Sequence, residues 1–182
     1  MSSPPHNLQL VIDFVNTLDV ETGEDRTGTP AQLAQWLSEQ GLRPGAQPEL
    51  GAGELAQAIG LRESLRTVLV SHNHRERTAA DATRHLEEVA ERGRLSVSFG
   101  PDGAVEIVPR AEEYAGVLAR LLVPVTHAAM DRSWGRVKAC VADDCQWAFY
   151  DSSRNRSGRW CDMAVCGNRE KVRTYRSRQS GE

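Results

Sequence analysis

The chain has 182 residues and no cysteine before Cys140. Any cysteine chemistry is therefore confined to its last 43 residues, and a larger remainder has none. No apolar run approaches the roughly 18 residues that a membrane span needs, so nothing is expected to cross a bilayer. The N-terminus, MSSPPHNLQL, lacks a basic stretch followed by an apolar one, as a secretory leader would have. A reducing, cytoplasmic setting is the expectation, and it argues against disulfides. There is no Ser/His/Asp constellation, no glycine-rich phosphate loop and no open metal site. His72, His74, His85 and His127 are scattered, with no nucleophile or metal-type spacing beside them. The chain reads as a protein that is not an enzyme. Apart from two cysteine pairs it has no internal repeat and no low-complexity tract.

What is present supports a real core, with 40% apolar and 26% charged residues. The net charge of −3 is uninformative until it is divided. Residues 1–132 carry 12 Lys+Arg against 19 Asp+Glu, a balance of −7, whereas residues 133–182 carry 10 against 6, a balance of +4. A basic tail on an acidic body points to an anionic partner for the tail alone. A merely solvated basic face is the competing reading.

The cysteines form the pattern Cys140-x4-Cys145-x15-Cys161-x4-Cys166. Two short pairs joined by one ribbon-sized loop suit a single structural Zn2+ held by four thiolates at about 2.3 Å each. Four sulfur ligands leave no position open for water, which excludes catalytic zinc. Redox-active, disulfide-linked or simply packed thiols are the alternatives.

Along the chain, Leu8, Val11, Ile12, Val15 and Leu18 recur at helical spacing, with a short strand as the alternative. Residues 19–29 are acidic and turn-rich, hence a loop. Thr29-Pro30 caps a helix that carries Leu33, Trp36 and Leu37 and closes at Gly41. A Pro/Gly-rich link at 43–53 leads into a long helix over about 54–72, apolar on a broad face. Thr78-x-x-Asp81 resembles a capping box that opens a further helix, with Leu86 and Val89 inward. The period then changes to two. Leu95, Val97 and Phe99 are answered by Val105, Ile107 and Pro109 across a turn at 100–103, a β-hairpin. From Ala111 another helix follows, kinked at Pro124. The fold class is α+β. A mostly helical N-terminal domain with a β-hairpin or small sheet (1–132) precedes a C-terminal four-cysteine zinc module (133–182).

Within the module, Val137–Cys140 and Trp147–Tyr150 flank a turn and present the first pair. The polar loop 151–158 follows, and the second pair opens a terminal helix. Knuckle, loop and ligand pair at a helix start is the order of a treble-clef zinc finger. Arg169, Arg173 and Arg176 share one helix face, Lys171 and Arg178 broaden it, and Val172 and Tyr175 are spaced to pack inward. Arg154, Arg156 and Arg159 precede them on the loop. Asn168 is placed to cap the helix, and Gly167 to let the backbone turn around the metal. Trp147 and Trp160 read as core over the zinc site.

The string WCDMAVCGNREKVRTYR (160–176), preceded by FYDSSRNRSGR, resembles the CGNR zinc finger, whose motif stands intact at Cys166, Gly167, Asn168 and Arg169. LVIDFVNTLD (10–19), followed by the Trp36-Leu37 helix, resembles the ABATE domain that accompanies this finger in stress-induced transcription regulators. The resemblance implies that the four cysteines are zinc ligands. It also implies that Arg169 and its neighbours, with Lys171, Arg173, Arg176, Arg154 and Arg156, face DNA. Asp13, Asn16 and Thr17 interrupt an apolar segment, and Arg62 and Arg66 repeat the helical spacing on the long helix. Together they are candidates for a small-molecule effector pocket, against the plainer reading that they are paired polar residues inside the fold. The reading is a DNA-binding, effector-sensing regulator, with a homodimer among the expected partners. The alternative is a protein–protein adaptor whose finger is a structural clip.

Overall fold

The computed structural model describes residues 4–5, 7–42, 49–74 and 78–179. Residues 43–48 of the 43–53 link, residues 180–182 and the Arg178 side chain lie outside the described residues.

Helix α1 (Leu8–Val15) buries Leu8, Val11, Phe14 and Val15 almost completely, so the apolar spacing is helical and not that of a strand. In α2 (Pro30–Glu39), Thr29 caps the start by accepting from the Gln32 amide at 3.3 Å. Its Trp36 ring meets Phe14 at 5.3 Å. Gly41, at φ 67, reverses the chain beyond the last turn, a conformation that favours glycine. The central element is α3 (Ala52–His74), with Leu61, Leu65 and Leu69 fully buried.

Two local expectations are corrected. Helix α4 (Ala80–Arg92) has Ala79 at its N-cap and no side-chain cap. Thr78 instead meets Ser71 hydroxyl to hydroxyl at 2.7 Å, so it ties the start of α4 to α3. The helix expected from Ala111 with a kink at Pro124 is two helices, α5 (Tyr114–Arg120) and α6 (Val123–Met130). Proline sits in the first turn of α6, where its missing N–H breaks no bond. Between α4 and α5, strands β1 (Leu95–Phe99) and β2 (Val105–Pro109) form an antiparallel hairpin with Phe99 opposite Val105.

A short turn at Trp134–Arg136 leads to a second hairpin, β3 (Val137–Ala139) with β4 (Ala148–Tyr150). Val137, Ala139 and Ala148 belong to the same buried cluster as α1, α3 and α5. The finger's hairpin is therefore inserted in the main core. After a wide turn at Met163–Gly167, helix α7 (Asn168–Gln179) ends the described chain. Among the described residues no helix is long and apolar enough to cross a membrane.

Candidate metal centre and its basic helix

The knuckle between β3 and β4 is fixed by its own backbone. Cys140 N donates to Trp147 O and Cys145 N to Ala142 O, each at 2.9 Å. Val141 N receives the returning chain by donating to Arg159 O at 3.0 Å, and this sets Cys161 beside the first pair. Asp162, just outside the Met163–Gly167 turn, accepts from Ala164 N at 2.6 Å and Val165 N at 3.1 Å, and brings Cys166 round to face the others.

The four Sγ atoms all lie within 4.8 Å of one another. Cys145 and Cys161 are 3.7 Å apart, and Cys161 and Cys166 3.8 Å. The edge of a tetrahedron with bonds of about 2.3 Å is about 3.8 Å, so the cluster fits one Zn2+ ligated by Cys140, Cys145, Cys161 and Cys166. All four cysteines are free, and these separations are far longer than a disulfide bond. The thiols also bear on one another electrically. Donation from the Cys145 and Cys161 thiols pushes Cys140 down, while proximity to Cys140 holds Cys145 and Cys161 up. So tight a group of sulfurs does not carry four negative charges by itself, and a divalent cation held by the four would supply the balance. Ala142, Trp147 and Trp160 pack over the cluster as core. The Arg159 guanidinium stands 5.3 Å above the Trp160 ring.

The basic helix starts at this cluster. Asn168 donates from Nδ2 to Ala164 O at 3.0 Å and does not cap the amides; that task falls to Asp162. Gly167 has no positive φ, and a Cβ there would meet only the half-exposed Met163 side chain, which can swing aside, so the backbone turn around the cluster does not require glycine at this position. Val172 and Tyr175 do not pack inward; they are 48% and 63% exposed. Arg169 donates to Cys166 Sγ at 3.5 Å and forms an ion pair with Glu21, and Asp144 lies 3.8 Å away. Glu21, then the Cys166 sulfur, raise its pKa further. Arg173 pairs with Asp144 at 3.3 Å and Glu170 at 3.7 Å. Lys171 and Arg176 are exposed on the helix, as are Arg154 and Arg156 on the preceding loop.

Residues 136–179 match the CGNR zinc finger, and residues 8–132 match the ABATE family, described as "Putative stress-induced transcription regulator". The chain belongs to the ABATE family. No curated protein matches it.

The polar residues of the ABATE domain are engaged with one another and with the finger. Asp13 accepts from Gln9 at 2.8 Å on the surface. Asn16 exchanges two hydrogen bonds with the Ala148 backbone, donating to its carbonyl at 2.9 Å and accepting from its amide at 2.7 Å. It thereby acts as a strand-like partner to β4. Thr17 donates to Phe14 O. Arg62 donates to Thr17, Asp25 and Thr27, and pairs with Glu63. Arg66 donates to the carbonyls of Val15, Leu18 and Gln146, the last lying in the zinc knuckle. Asn16, Thr17, Arg62 and Arg66 thus sit in a network that fastens helix ends, the acidic loop and the finger, whereas Asp13 stands outside it on the surface.

Several partners went unread in the sequence. Lys138 and Asp151, 5% and 3% exposed, form a 2.7 Å ion pair inside the finger. Lys138 also donates to Arg156 O and Gly158 O, and Asp151 accepts from the Ser153 and Gly158 amides. Burial alone would raise the Asp151 carboxyl, but Lys138 and these amides hold it down to about 2. A lysine inside the apolar run VKAC was the available signal. Asn73, at the end of α3, donates to both Ala139 O and Arg159 O at 2.8 Å, which no local pattern foretells.

Proposed function

We propose that this ABATE–CGNR chain is a cytoplasmic DNA-binding transcription regulator that works by binding, not catalysis. The zinc cluster presents α7 to DNA. One observation carries this reading. Helix α7 is anchored at its base by the cysteine cluster, and beyond it Lys171, Val172, Arg173, Tyr175 and Arg176 are exposed. Twelve helical residues extend about 18 Å, and a B-form major groove about 12 Å wide admits such a rod. The balance of +4 over 133–182 suits phosphate.

Lys171 and Arg176 on the helix, with Arg154 and Arg156 on the loop, contact phosphates. Arg173 exchanges Asp144 for a phosphate oxygen. Arg169 is a positioning residue, since it already joins α7 to Cys166, Glu21 and the knuckle. In this reading Asn16, Thr17, Arg62 and Arg66 serve as the joint between domain and finger, and no effector contacts them.

The test is fluorescence anisotropy of the zinc-loaded chain with duplex DNA between about 50 and 200 mM salt. Affinity should fall steeply with salt, and Lys171→Ala and Arg176→Ala should each reduce the log–log slope by about 1. Absence of salt-dependent binding at the low end rules the reading out. Exposed Val172 and Tyr175, one turn apart, favour a second reading in which α7 docks a protein partner. Tyr175→Ala abolishing capture of that partner, with DNA affinity absent throughout, would select it.

A further inference from the structure

The register of the β1–β2 hairpin pairs Leu95 with Pro109, Val97 with Ile107 and Phe99 with Val105. Cross-strand partners share a face, so six apolar side chains stand on one side of the ribbon. Ser96, Ser98, Glu106 and a half-buried Val108 stand on the other, where Arg110 donates to Ser98 Oγ at 3.0 Å. An antiparallel sheet with one mostly polar face normally buries the opposite one. The base of this ribbon does so, with Leu95 packed against the main core. The tip does not: Val97 is 52%, Val105 60% and Phe99 75% exposed. A two-stranded ribbon is marginal by itself, and an apolar patch on such a ribbon marks a surface that something covers.

The same face continues into a groove of about 460 Å³ at the ribbon's base. Ile107 and Pro109 of the ribbon line it together with Leu10, Leu42 and Pro124, and Asn7, His127 and the exposed Arg120 are its polar members. Arg120 donates to Leu42 O at 2.9 Å and stays exposed. The apolar surface thus comes in two complementary halves. One is a protruding tip that carries Phe99, with the acidic Asp102 in its turn. The other is a recess with a cation at its edge. They are two to four residues apart along the strands, roughly 7–14 Å at 3.4 Å per residue.

We propose that the occupant of this groove is the hairpin tip of a second copy of the chain. The result is a two-fold dimer in which each Phe99 enters the other copy's recess and each Asp102 faces the other copy's Arg120. A two-fold interface requires one patch to hold both complementary halves, and this patch does. About a dozen residues a side take part, roughly half the 20–30 of a standard interface, so a weak, concentration-dependent dimer is expected. The dimer does not depend on what the finger binds.

Sedimentation equilibrium of the zinc-loaded full chain over about 1–200 µM tests it. The average mass should climb from one chain, 20.1 kDa, towards two. Phe99→Ser replaces an exposed side chain, so zinc content and far-ultraviolet circular dichroism should not change while the chain stays monomeric throughout. Arg120→Glu should weaken association about tenfold, and adding Asp102→Lys should restore it. A wild-type chain that remains monomeric overturns the proposal and leaves the groove to a different occupant. A Phe99→Ser chain that still dimerises overturns it as well, by locating the interface elsewhere. A double variant no tighter than Arg120→Glu alone overturns the Asp102–Arg120 pairing.

Discussion

Lys138 and Asp151 face each other inside the finger with almost no solvent, and the loop 151–158 is wound around them. Removing one partner of a buried ion pair strands the other. Lys138→Ala should therefore cost about 3–5 kcal/mol of unfolding free energy, measured by urea denaturation of the zinc-loaded chain. The pH dependence follows from the sign of the Asp151 shift. Its folded pKa, about 2, lies below the ordinary 3.8, so the stabilisation is complete above the unfolded value and is lost as pH falls from about 4 to 2. The loss is about 2 kcal/mol, and Asp151→Asn should flatten stability over that window. Asn16 is a paired polar residue inside the fold, bonded to backbone far along the chain. Its position inside an apolar segment flagged a buried polar group, but its partner, Ala148, is 132 residues away. Asn16→Ala should cost about 1–3 kcal/mol, because the buried amide and carbonyl of Ala148 lose their partner.

At the scale of elements, periodicity and capping made α1, α2, α3 and both hairpins legible, since each depends on local spacing. The misses are tertiary. The Thr78-x-x-Asp81 pattern looked like a cap because it is local, yet the Ser71 hydroxyl won Thr78. Val172 and Tyr175 have inward spacing, but Tyr175 faces an open cavity shared with Val141 and Trp160, and among the described residues none covers either side chain. The arginine face of α7 was legible as charge, while its acidic partners Glu21 and Asp144 come from distant loops. In the proposed complex Asp144 would compete with phosphate for Arg173. Asp144→Asn should raise DNA affinity about twofold to fivefold at low salt, as expected for loss of an exposed ion pair, measured by anisotropy. Asp162→Ala should weaken the turn that carries Cys166 by about 1 kcal/mol, seen as lower zinc affinity in a chelator competition.

Across the whole molecule, the finger is not a bead on a string. Its β3–β4 hairpin shares the core with α1 and α3, while Asn16, Arg66, Asn73 and His72 bond its backbone directly. Sequence spacing revealed the zinc ligands because metal geometry is local. It hid this continuity, because the joint is made of single side chains, one at the end of α1 and three on α3, whose partners are 65 or more residues away. Zinc removal should therefore lower the melting temperature of the entire chain, and calorimetry should show one main transition; two well-separated transitions would contradict a shared core. The central claim is that zinc holds α7 in a form that meets DNA. Its most direct test is the dissociation constant for duplex DNA against salt, measured before and after chelation. The account predicts a steep log–log line for the zinc-loaded chain and loss of binding on chelation. No binding by the loaded chain at low salt, or an unchanged line after zinc is removed, would contradict it.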